Sequence, residues 1–172
     1  SAKPTAAGAE GVAVATAEEA VALRDAGFGD VILVMGPLYS LDQYREMAAR
    51  DVDFAVVSQE MAELLPGLRG TGLRARVHLK IDSGMNRQGL FPAQVDSFLE
   101  SIKDIREIDL VGVMTHFACA TEDPTTIDFQ LGRFLPAVER VRREWPNVVA
   151  HAANSAATVY AAHSHLNMVR CG

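Results

Sequence analysis

Short apolar runs of four to six residues recur along the whole chain, and segments with helical punctuation separate them: Gly11–Ala15, Val31–Met35, Phe54–Val57, Arg76–Ile81, Leu110–Thr115, Val148–Ala152 and Asn167–Arg170. These runs read as strands, and their lack of strict alternation means burial on both faces, the pattern of a parallel sheet covered by helices. The spacers carry helix starts. Thr16 with Glu19 and Ser40 with Gln43 have the capping-box spacing, in which a hydroxyl and the third helical side chain satisfy exposed backbone donors. Helices are expected near 17–26, 41–50, 59–65, 92–104 and 127–145, with a short turn from Ser155, and Gly27, Gly36-Pro37, Pro66-Gly67 and Gly70–Gly72 mark the breaks.

Seven strands in regular βα alternation are one short of a TIM-type (β/α)8 barrel, a fold of about 250 residues. The expected class is therefore α/β, an incomplete barrel of about seven parallel strands, with residues 1–172 as one partial barrel domain. A doubly wound open sheet is the competing architecture. Polar residues at the ends of several successive strands favour the barrel: Lys80 and Asp82, His116, His151 with Asn154 and Ser155, then Arg170. A barrel gathers many strand ends at one mouth, whereas an open sheet gathers ligands at one switch point.

Composition narrows the partners. A formal charge of −6 offers no basic face for a nucleic-acid backbone, and Arg140, Arg142 and Arg143 are matched by Glu139 and Glu144. No nucleic-acid partner is expected. No apolar run approaches the roughly 18 residues of a membrane-spanning helix, so no membrane partner is expected either. Two cysteines, Cys119 and Cys171, without a CxxC pair or a leader, fit a cytoplasmic protein in which both are packing residues. His163 and His165 lack supporting ligands, and no metal site is expected.

Four segments carry chemistry. In VHLKIDSGMNRQG, residues 77–89, a buried strand runs into a glycine-punctuated loop holding Lys80 and Arg87; Lys80 is either a strand-end lysine that reaches water or Asp82, or a buried cation with a function. His116 in GVMTHFACATE and His151 in AHAANSAAT stand at strand ends, where a histidine serves packing as readily as catalysis. Ser155 can present its hydroxyl to an anion or simply cap a helix. In MVRCG, Arg170 supplies a permanent charge and Gly172 permits close approach of a ligand.

Taken in order, these four motifs are similar to the barrel motifs of alanine racemases, and AVATAEEAVALRDAG near the start resembles that family's second strand and helix. The resemblance runs from about Gly11 to Gly172. It implies a pyridoxal 5'-phosphate enzyme that interconverts L-alanine and D-alanine by two-base proton transfer, supplies D-alanine for peptidoglycan and forms a homodimer. It also implies that Arg170 meets the pyridine nitrogen, that Ser155 and Gly172 contact the phosphate with Asn154 beside them, and that His151 stands behind these. His116 matches a histidine supporting Arg170 and a catalytic tyrosine. Arg87 matches an arginine near the substrate carboxylate, and Lys80 a lysine often carbamylated so that it orients Arg87. The family's cofactor lysine lies in a Lys-Ala-x-x-Tyr-Gly-type motif; the only lysines here are Lys3, Lys80 and Lys103, none in such a motif. The 172-residue chain alone is accordingly expected to be inactive. Other readings are a serine racemase or an amino-acid decarboxylase of the same fold, or a non-catalytic pyridoxal-phosphate-binding barrel protein.

Overall fold

The computed structural model describes residues 8–121, 123 and 125–172; Lys3 lies outside them. Six strands alternate with helices: β1 (Gly11–Val14), α1 (Ala17–Asp25), β2 (Val31–Val34), α2 (Leu41–Ala49), β3 (Asp53–Val56), α3 (Gln59–Leu64), β4 (Ala75–Lys80), α4 (Val95–Ile102), β5 (Ile108–Met114), α5 (Thr125–Arg142), β6 (Val149–His151) and α6 (Ser155–Tyr160). The sheet order is β1-β2-β3-β4-β5-β6. Strand pairs β1–β2, β2–β3 and β5–β6 are parallel, with Gly11 opposite Val31, Leu33 opposite Asp53 and Gly112 opposite Val149. Among the described residues, no helix is long and apolar enough to cross a membrane.

The residues pack into two units, one reaching to Val77 and including Ile102–Asp109, the other formed by His78–Ser101 and Leu110–Gly172. In the first, Ile32, Val34, Leu38, Met47, Phe54 and Leu65 are buried. Tyr44 packs on Phe54 with ring centroids 4.9 Å apart and donates its hydroxyl proton to Met61 O at 2.9 Å, so a buried phenol keeps a partner. Helix α1 begins as its sequence dictates: Thr16 Oγ1 accepts the Glu19 amide and Glu19 Oε2 accepts the Thr16 amide. At α2 the expected box is altered. Ser40 Oγ caps Gln43 N, but the Gln43 side chain reaches back to Tyr39 N instead of Ser40.

In the second unit α5 turns Ile127, Gln130, Leu131, Phe134, Ala137, Val138 and Val141 inward, the three- and four-residue spacing of a helix face. They pack with Val95, Phe98, Leu99, Val113, Phe117 and Ala150 in the buried interior of that unit. Gly112 on β5 is there for space, because a Cβ at this position would overlap the His78 ring.

Three expectations need correction. The strand expected at Asn167–Arg170 is reduced to one parallel bridge, His151 to Met168. Asn167 puts its side-chain Oδ1 on Ala150 N at 3.0 Å, where a neighbouring strand would put a carbonyl, and Leu166 turns the chain at φ 51°. Cys119 and Cys171 are both exposed free thiols and not packing residues. The helix expected over 92–104 splits into a 3-10 turn at Pro92–Gln94 and α4.

Gly112→Ala is expected to destabilise the protein by about 1–3 kcal/mol, the usual cost of overfilling a packed interior. A urea unfolding midpoint equal to that of the parent would contradict this close packing.

Candidate functional site

All the residues singled out by the motifs fall in the second unit. Its strands end in segments whose backbone polar groups are largely committed. After β4, Lys80 O accepts the Leu90 amide and Leu90 O accepts the Asp82 amide, closing residues 81–90 into a loop. Asp82 sits inside it and its Oδ1 accepts Gly84 N at 2.9 Å and Asn86 N at 3.0 Å, a local turn of the kind short acidic side chains form. Gly89, at φ 128°, admits the close pass, since a Cβ there would fall 2.6 Å from Asp82 N. This loop carries Arg87, which is exposed.

After β5, Thr115 is a junction. Its amide donates to His151 O, its hydroxyl donates to Ile81 O at 2.8 Å, and its carbonyl accepts Arg170 Nη2 at 2.7 Å. Ser83 Oγ, fully buried, is 2.7 Å from Thr115 Oγ1. Next, Phe117 O accepts Asn154 Nδ2, and Ala118 is held at both N and O by the Gln130 amide. His116 stands half-buried between these pinned neighbours.

Arg170 is anchored at three points. Besides Thr115 O, its guanidinium donates to Ala152 O at 3.2 Å and to His151 Nδ1 at 2.8 Å. Burial lowers its pKa to about 10, which leaves it charged at neutral pH. His151 is fully buried, and its Nε2 lies 2.9 Å from His78 Nδ1. A guanidinium only donates, so His151 Nδ1 must accept, His151 Nε2 must carry the proton, and His78 Nδ1 must accept in turn. Burial, then His78 and Arg170, pushes the His151 pKa well below the usual histidine value and keeps the ring neutral as this order requires.

Lys80 is 5% exposed and its Nζ donates to Gln88 Oε1 at 3.3 Å. The direct partner is thus Gln88, while Asp82 is occupied by backbone amides. Burial, reinforced by Arg87 and Arg170 and opposed by Asp82, lowers the Lys80 pKa to about 8. Burial, then Arg170, Arg87 and Lys80, lowers that of His116 to about 4. Each cation therefore feels the others, and a chain of net negative charge has gathered positive potential at its strand ends. Such a place suits an anion.

Ser155 opens α6, but the cap is Asn154, whose Oδ1 accepts Ala157 N at 3.0 Å. The Ser155 hydroxyl turns to Gly172, donating to its carbonyl at 3.0 Å and lying 3.1 Å from its amide. The geometry brings Lys80, Arg87, His116 and Arg170 into one electrostatic group and places Ser155 beside Gly172. Sequence reasoning missed His78, Thr115 and Gln130. His78 precedes Lys80 by two and so faces the same side of β4, a signal that was available; the burial of Gln130 on an otherwise apolar helix face was another.

The family model for the alanine racemase N-terminal domain matches residues 1–172. The alanine racemases of Methanococcus maripaludis and Sorangium cellulosum are each 36% identical to this chain over 96% of it and 45% of their own length. The crystal structure of alanine racemase from Bacillus anthracis with bound L-Ala-P matches with a TM-score of 0.87 at 34% identity, over 98% of this chain and 44% of that one. The Corynebacterium glutamicum alanine racemase structure matches with a TM-score of 0.83 at 30% identity, over 97% and 47% of the two chains. The fold is that of a TIM-type β/α barrel, incomplete here. The chain belongs to the alanine racemase N-terminal domain family, and it spans about 45% of the length of the curated relatives it matches.

The depressed His116 pKa has a consequence for acid stability. Its folded value of about 4 lies below the unfolded value of 6.5, so between the two the unfolded chain binds more protons and stability rises with pH. The penalty is complete below pH 4 and absent above 6.5. His116→Gln should flatten the loss of stability on acidification through this window, as followed by urea unfolding; an unchanged slope would exclude a buried neutral His116.

Proposed function

We propose that residues 1–172 are part of the cofactor-binding barrel of an alanine racemase, in which pyridoxal 5'-phosphate is held by Arg170, Ser155 and Gly172 and L- and D-alanine are interconverted. The observation that carries the reading is Arg170: a charged guanidinium with three of its N–H groups spent on His151, Thr115 and Ala152 and, among the described residues, the Nε–H and one Nη1–H left to donate to a ring nitrogen. The residues fit the group. Ser155 Oγ lies 3.1 Å from Gly172 N, a hydroxyl and an amide able to turn to a phosphate, and the charged Arg170 belongs to the same segment as Gly172. A single family match over residues 1–172 supports one partial barrel domain.

When bound, pyridoxal phosphate draws electrons from the amino acid and makes its α-proton acidic. Arg170 orients the ring through a hydrogen bond but gives up no proton. Arg87 takes the substrate carboxylate, and His116 stands against Arg170 in the supporting role its motif implies; Asn154 and His151 hold the two segments in place. A Lys80 amine whose pKa is about 8 is partly neutral near physiological pH. Once the ammonium has lost its proton to water, the neutral nitrogen can form a bond to carbon dioxide with release of a second proton, leaving an anionic carbamate that pairs with Arg87. A homodimer acting in the cytoplasm and supplying D-alanine for peptidoglycan belongs to the same reading.

The test is formation of D-alanine from L-alanine by the full-length protein with pyridoxal phosphate, with serine assayed alongside. Racemisation of alanine well above that of serine is expected, and none from the 172-residue segment alone, because none of Lys3, Lys80 and Lys103 lies in the family's lysine motif. Inactive full-length protein, or an active segment, would refute the reading. In the full-length protein Ser155→Ala should weaken cofactor binding by roughly 10- to 100-fold, the loss of one hydrogen bond to a charged group. Titration of the cofactor absorbance reads this directly.

A further inference from the structure

Gln130 is a polar side chain on the buried face of α5, 2% exposed among Ile127, Leu131 and Phe134. Its carboxamide is used on both sides. Oε1 accepts Ala118 N at 2.9 Å, and Nε2 donates to Ala118 O at 3.1 Å and to Thr126 O at 3.1 Å. An amide that meets both the N–H and the C=O of one residue mimics a neighbouring strand, so the segment after β5 is held as if a ladder continued there. Thr126 Oγ1 adds a bond to Ala118 O at 3.2 Å. On its other side the Gln130 stem meets the loop that carries Arg87: a Cβ on Gly84 would fall 3.2 Å from Gln130 Cγ, and Gly84 takes φ 150°.

Among the described residues His116 makes no side-chain hydrogen bond, and its neighbours do the work: Thr115 is fastened before it, Phe117 and Ala118 after it. We propose that Gln130 is a positioning residue, clasping Ala118 and abutting Gly84 so that His116 and the Arg87 loop are held in register. The inference rests on the racemase reading for its kinetic consequence, but the clasp itself concerns only this chain's own atoms. Burying an amide in an apolar helix face costs stability unless both of its polar ends are satisfied, and here they are satisfied by the segment that bears His116.

The test uses the full-length protein. Gln130→Met fills the space without donors or acceptor. It should retain cofactor while kcat falls by about ten- to hundredfold, the scale on which small misplacements act, and KM changes little. In the cofactor-free protein, the His116 imidazole, followed by NMR, should titrate closer to the ordinary histidine value as it loosens away from Arg170, Arg87 and Lys80. Gln130→Glu keeps the acceptor but turns a negative oxygen toward Ala118 O and Thr126 O. It should behave as Gln130→Met in mild alkali and recover as the pH falls and the buried carboxyl regains a proton to donate, at a pH above the usual glutamate value of about 4.3. A folded Gln130→Met with parental kcat and unchanged His116 titration would overturn the proposal, as would Gln130→Glu without recovery at lower pH. If Gln130→Met does not fold, Thr126→Val, which removes only one bond to Ala118 O, should move kcat and the His116 titration the same way by a smaller factor; no movement overturns the proposal equally. Should the parental protein itself fail to racemise alanine, the function is wrong, and the His116 titration alone then decides the clasp.

Discussion

A guanidinium that is largely withdrawn from water must be solvated by the protein, and the second unit is organised around doing so for Arg170. Its donors fall on Thr115 O, Ala152 O and His151 Nδ1, groups supplied where β5 and β6 end. Those carbonyls are available because parallel strands finish with their C=O groups pointing past the last ladder bond. Removing any of these partners would leave a buried charge short of solvation, a defect that costs more than an ordinary lost hydrogen bond. The demand propagates outward. Thr115 has to present its carbonyl, so its hydroxyl is tied to Ile81 O; His151 has to present a bare nitrogen, so its other nitrogen is tied to His78.

The same constraint explains why positive charge can accumulate here at all. Lys80, Arg87 and Arg170 repel one another, and the pKa values of Lys80 and His116 fall in response to burial and to that repulsion. Its three acceptors hold Arg170 in place against that repulsion. An anion placed among these cations would relieve the repulsion.

Much of this was legible in the sequence. Apolar runs located all six strands to within a few residues, and Thr16 with Glu19 announced the start of α1, because burial on both faces and backbone capping are local demands that leave local marks. What was not legible came from side chains standing in for backbone. Asn167 takes the place of a strand at Ala150, so an apolar run there made only one bridge. Gln130 takes the place of a strand at Ala118. Asn154, not Ser155, caps α6, since either residue type suits a cap and only the chain path decides. For Lys80 the sequence left water, Asp82 or a functional role open. The partner turned out to be Gln88, because Asp82 was already committed to the turn that follows it.

The ordered row from Arg170 through His151 to His78 has a polarity. Every hydrogen points away from the arginine, and reversing the row would require the guanidinium to accept a proton it has no lone pair to take. In electrical language the row is an insulator, closed at its arginine end. Rows of histidines are commonly read as conduits, but this one passes no proton beyond the arginine, because a guanidinium has no lone pair with which to accept it.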